Sequence, residues 1–105
     1  MTTKQENQYL LELKNVTYTK ESTSFIITEG LVTNISSKSL SDVLAVVQLY
    51  DKNDNFIKSD DALIDYNPIL PGQSSPFKII TSYNPAIQKG TVEFKYISGG
   101  TIPTK

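Results

Sequence analysis

The chain has 105 residues and a net charge of −1, its ten basic residues are all lysine, and it contains neither cysteine nor histidine. That length supports one domain burying roughly two-thirds of its unfolded surface without a covalent or metal staple. The missing guanidinium groups argue against nucleic-acid binding, and the missing thiols and imidazoles remove the usual nucleophile, general base and transition-metal ligands, so no cofactor is expected. With 38% apolar, 20% charged and 10% aromatic residues the composition is that of a folded domain with a thin core. No stretch of about 18 apolar residues exists to span a membrane. The first residues lack the charged and apolar regions of a secretory signal, which leaves a cytoplasmic protein or the soluble part of a longer chain.

Residues 1–8 carry no aliphatic or aromatic side chain after Met1 and read as a disordered lead-in. Tyr9, Leu11 and Leu13 alternate with polar neighbours, then Val16 and Tyr18 alternate on the opposite parity. The change of parity near Lys14 and Asn15 predicts a β-bulge or bend that lets one strand pass between two sheets. Lys20 to Ser24 is a polar turn. The second strand, Phe25 to Asn34, is β-branched, and Gly30 at its centre predicts a bulge or the close approach of a bulky side chain. Apolar residues fall on both parities of this strand, so its inward face stays open. Ile35 to Leu40 is a serine-rich connection.

Ser41 to Asp51 is the most apolar stretch. Val43, Ala45, Val47 and Leu49 occupy one face and Leu44, Val46, Gln48 and Tyr50 the other, which suits a central strand covered on both sides. A buried helix is the rival reading; Val43, Val46, Val47 and Tyr50 favour the strand. Asp51 to Asn55 is a dense turn signal, so residues 43–58 read as a hairpin with a loop of four or five residues. The polar patch Lys58 to Asp61 precedes a short alternating strand at Ala62, Ile64 and Tyr66. Asn67 to Pro76 contains three prolines and a glycine, and excludes a central strand. Phe77, Ile79 and Thr81 form the next strand, with Pro76 at its start. Tyr83 to Gly90 is a crossover with room for one helical turn after Pro85. Val92, Phe94 and Tyr96 alternate with Thr91, Glu93 and Lys95 in the last strand, and residues 98–105 read as a flexible tail or linker.

Six or seven short strands without an amphipathic helix predict an antiparallel, immunoglobulin-like β-sandwich over residues 9–97. The same residues carry a resemblance. Val47-Gln-Leu-Tyr-Asp51 resembles the signature of the FxLYD family of small bacterial and archaeal domains, Gly30 to Ser36 resembles its Gly-x-Val-x-Asn segment, and Leu70-Pro-Gly-Gln-Ser-Ser-Pro-Phe77 resembles its Leu-x-Pro-Gly-x(3)-Phe segment. Asp54-Asn55 sits where the turn after the motif is expected. The chain departs at Val47, where the family has phenylalanine. The resemblance implies an immunoglobulin-like sandwich in an extracytoplasmic or membrane-anchored protein, with no catalytic residues to carry over. The motif positions Gly30, Asn34, Val47, Leu49, Tyr50, Asp51, Pro71, Gly72 and Phe77 have structural readings. Tyr50 is expected to stack on a neighbouring strand and tie its hydroxyl to a loop backbone, Asp51 to accept N–H groups across the hairpin turn, and Gly72 to supply a positive φ.

Among functional candidates the acids are sharpest. Asp51, Asp54, Asp60, Asp61 and Asp65 lie within fifteen residues, and oxygen-rich loops bind calcium. Asp51, Asn53 and Asn55 imitate the opening of an EF-hand loop, with Asp60 and Asp61 further along. Phe56 stands where that loop needs glycine and Ala62 where it needs glutamate, so a solvated turn capping its own backbone is the favoured alternative. A hydrolase using Asp60, Asp61 or Asp65 as an acid pair lacks any sign of a pocket. Asn15-Val-Thr17 and Asn34-Ile-Ser36 match the glycosylation triplet, and six tyrosines offer either an aromatic binding face or core and rim packing. The reading favoured is a non-enzymatic accessory or protein-interaction module of a cell-envelope protein, binding through an exposed sheet edge or through loops at one end of the sandwich. The alternative is a calcium- or glycan-binding domain built on the acids of residues 51–65.

Overall fold

The structure, a computed structural model, describes residues 9–22 and 24–105; the lead-in expected over residues 1–8 lies outside them. Seven strands follow one another: β1 (Leu11–Glu21), β2 (Phe25–Asn34), β3 (Val43–Tyr50), β4 (Phe56–Leu63), β5 (Ser74–Ser82), β6 (Lys89–Tyr96) and β7 (Gly99–Ile102). They build two antiparallel sheets, β1-β2-β5 and β4-β3-β6-β7. Alternation of side chains puts Ile26, Thr28, Val32 and Asn34 of β2, with Phe77 and Ile79 of β5, on the inner face of the first sheet. Val43, Ala45, Val47 and Leu49 of β3, with Phe94 of β6, face them from the second. Phe77 and Phe94 meet edge to face with centroids 5.4 Å apart, joining the two sheets. This is the immunoglobulin-like sandwich expected, with β4 hairpin-bonded to β3 in the four-stranded sheet.

β3 is central, paired with β4 on one side and β6 on the other. Its outer face is half covered, and Val46 there is buried. The bulge expected in β1 lies between Lys14 and Thr17, with Asn15 at φ 56°. Gly30 lies opposite Phe77, and a Cβ on it would come within 2.9 Å of the phenyl ring, so the close approach of a bulky side chain is what demands glycine there.

Three expectations change. The patch Lys58 to Asp61 does not interrupt the chain: β4 runs through it as one edge strand. An edge tolerates polar residues, and Lys58 and Asp60, opposite the inward-facing Leu49 and Val47 and 3.7 Å from each other, are inward charges of the kind that discourage another strand from pairing. The crossover after Ser82 holds no helix, only a turn in which the Ile87 N–H donates to the Asn84 carbonyl. Residues 98–105 are not a flexible tail. Gly99–Ile102 form β7 beside β6, Ile102 is buried, and residues 103–105 continue along the start of β1 in parallel, with the Leu10, Leu11 and Leu13 N–H groups donating to the Pro103 and Lys105 carbonyls and the Lys105 N–H returning to the Leu11 carbonyl. One segment thus bonds to both sheets. Two glycines concealed it, because its order comes from its neighbours and not from its own propensity.

Candidate functional site

The acids are dispersed. Among the described residues no three acidic side chains come together as a metal-binding group. Asp51 caps its own turn: one carboxylate oxygen accepts the backbone N–H groups of Asn53 (2.8 Å) and Asn55 (2.9 Å), the other the Asn55 side-chain amide (3.0 Å). The hydrogen bonds from Asn55, first among the causes, lower its pKa below the ordinary carboxylate value. Asp54, at φ 65° in the same turn, pairs with Lys89. Asp60 and Asp61, successive residues of a strand, project to opposite faces. Asp65 is exposed, its N–H bonded to the Pro76 carbonyl. The two concave sites at the 51–55 and 83–88 loops bring together no two of these carboxylates: one has none in its lining and the other has Asp51 alone.

The motif positions hold the fold. Asn34 is fully buried at the end of β2 and fastens two loops: its Nδ2 donates to the carbonyls of Lys38 (2.8 Å) and Ile69 (2.9 Å), and its Oδ1 accepts from the N–H and hydroxyl of Ser36. Such burial leaves it no access as a glycosylation acceptor in the folded protein. Its carbonyl accepts the N–H of Gly72, which with Pro71 forms the turn Leu70–Gln73; Gly72 has φ 82°, and the Gln73 N–H closes the turn on Leu70. Leu40 and Ile69 exchange backbone hydrogen bonds, and Asp42 and Asn67 exchange a further pair. Val47 and Leu49 are buried. Tyr50 stacks edge-on against Phe56 of β4, but its hydroxyl donates to Gln48 on its own strand, not to a loop backbone as expected; Gln48 in turn donates to Glu93 on β6.

The opposite end of the sandwich, where the 22–24, 51–55 and 83–88 connections lie, is open. The two sheets leave a cavity of about 280 Å³ there. Its floor is apolar, made by Ile26, Leu49 and Ile87, and Tyr18 forms a wall, with its ring against Gly90. At the rim stand Lys20, whose ammonium lies 4.6 Å from the centroid of the Tyr83 ring, and Lys89. No acidic side chain lines the cavity among the described residues. Partial burial raises the pKa of the Tyr18 phenol. Two inner-face hydroxyls in this half, Thr28 opposite Tyr18 and Thr81 opposite Ile26, are buried without a hydrogen-bond partner among the described residues. Of the six tyrosines, 18 and 83 meet here. The cavity draws residues from β1, β2, β3, β6 and the 83–88 connection, so no local pattern announces it; the tyrosine content is the one signal in the sequence. Neither a protein-family model nor a curated protein matches this chain.

Proposed function

We propose that the chain is an FxLYD-like, non-enzymatic β-sandwich module, serving as an accessory or protein-interaction domain of an extracytoplasmic, cell-envelope protein, and that it meets its partner through the Tyr18 end. The observation that carries this reading is the unequal use of side chains at the two ends. Around Asn34 the polar groups are consumed in mutual hydrogen bonds. Around Tyr18 the two sheets leave an open cavity over the buried Ile26 and Leu49, bordered by the exposed Tyr18, Lys20 and Lys89 beside three loops, the arrangement of a small recognition site. The three segments that resemble the family support the assignment because they lie on contacts that hold the fold together: Gly30 on Phe77, Asn34 on the Pro71-Gly72 turn, Val47 and Leu49 in the core, Asp51 in its hairpin. The outer edges of β4 and β5 are the weaker candidates: β4 carries inward charges, and β5 carries Pro76, which offers no donor.

A photo-reactive benzoylphenylalanine placed at Tyr83, compared with the same group at the exposed Leu70 of the other end, tests the reading in the intact protein within its own cell envelope. A discrete crosslinked product from position 83 and none from position 70 is the expected result. Equal labelling at both positions, or none at 83, overturns it.

A further inference from the structure

We infer that the cleft at the Tyr18 end recognises an extended peptide segment in which a bulky apolar residue is flanked by carboxylate side chains. The inference rests on the reading of that end as the contact surface and adds the chemistry of the partner. Three observations converge on it. The floor of Ile26, Leu49 and Ile87 is apolar, and the cavity of about 280 Å³ has room for one large apolar side chain together with adjoining backbone. The cavity lining carries two lysines, Lys20 and Lys89, and no acid among the described residues; Asp54 pairs with Lys89 from outside the lining, so Lys20 is the cation left to complement an anion.

The third observation concerns the strands beside the cleft. β7 pairs with β6 only from Phe94 to Tyr96, and the bonds from residues 103–105 to β1 stop at Leu13. Above these points, β1 from Asn15 to Glu21 and β6 from Lys89 to Glu93 have no strand on their outer side among the described residues. Their free N–H and C=O groups can receive an extended backbone, which an amphiphilic small molecule does not possess. Lys89 shares its charge with Asp54, which leaves Lys20, on the inner face of β1 beside that unpaired edge, as the principal contact for the carboxylate.

The test uses blocked peptides, acetyl-Ser-Asp-Leu-Asp-Ser-amide and its counterparts with both acids replaced by lysine or the leucine by alanine, together with octanoate, titrated into the full chain and followed by backbone amide NMR. The acid–leucine–acid peptide is expected to shift the resonances of Tyr18, Ile26 and Gly90, and both counterparts to bind about tenfold more weakly or less. Lys20→Glu is expected to abolish the shifts, whereas Lys38→Glu, an exposed change at the other end, leaves them in place. Equal binding of the lysine peptide, shifts outside the cleft, or retention in Lys20→Glu overturns the inference while leaving the crosslinking reading standing. Octanoate binding at least as tightly as the peptide overturns it in favour of a free amphiphile. Failure of the Tyr83 crosslink removes the premise itself.

Discussion

The two ends of this sandwich solve the same problem, how to finish two sheets, in different ways. At the Asn34 end the loops are stitched to each other: one buried amide serves four hydrogen bonds, the Leu40–Ile69 bridge lies beside it, and Asp42 and Asn67 close the outside. At the Tyr18 end a tyrosine ring lies against Gly90 and the two buried threonine hydroxyls have no hydrogen-bond partner among the described residues. A buried polar group stabilises only when its bonds are complete. Satisfied polar groups are therefore concentrated at one end and the open cavity lies at the other.

Substitutions can break or sharpen that contrast. The largest effect is expected from Asn34→Ala, which leaves the Ile69 carbonyl without this donor and removes the link to Lys38; a loss of about 3 kcal/mol in urea unfolding is expected, and a loss no larger than that of an exposed control contradicts the stitched-end account. Next, Gly30→Ala drives a methyl toward the Phe77 ring and should cost about 2 kcal/mol, with partial recovery in the Gly30→Ala, Phe77→Leu double variant. In the open half the sign reverses: Thr81→Val replaces an unpartnered hydroxyl by a methyl of similar size and should raise stability by about 1 kcal/mol, a gain that a hidden hydrogen bond would cancel. The smallest effect belongs to Asp51→Ala. It lowers the melting temperature slightly at neutral pH. Because the carboxyl's folded pKa is depressed, its contribution is complete above the unfolded value and fades as pH falls through the folded one, so the two melting curves should begin to converge only below about pH 4. A difference independent of pH would remove the charge from that explanation.

How far the sequence exposes this architecture depends on how local each feature is. Gly30, Gly72 and the Asp51 turn were legible because a glycine facing a ring, a Pro-Gly pair and an Asp in an Asn-rich loop each state their conformation within a few residues. The bulge near Asn15 was legible as a change of parity. β4 resembles a loop in sequence because an edge strand exposes the polar residues that usually mark one, and β7 is concealed because two glycines gain order only from their partners. Tyr50 found an acceptor on its own strand, which no pattern along the chain distinguishes from a loop. The cleft was the least legible, since its walls come from four strands and a connection distant in the chain.

The final segment, bonded first to β6 and then to β1, has a mechanical consequence. Residues 103–105 run parallel to Leu10–Leu13, held by four backbone hydrogen bonds. Tension drawing Tyr9 and Lys105 apart slides these two strands along each other, loading all four bonds side by side in shear. They must give way together, as a clasp does, whereas a hairpin pulled from one end unzips bond by bond.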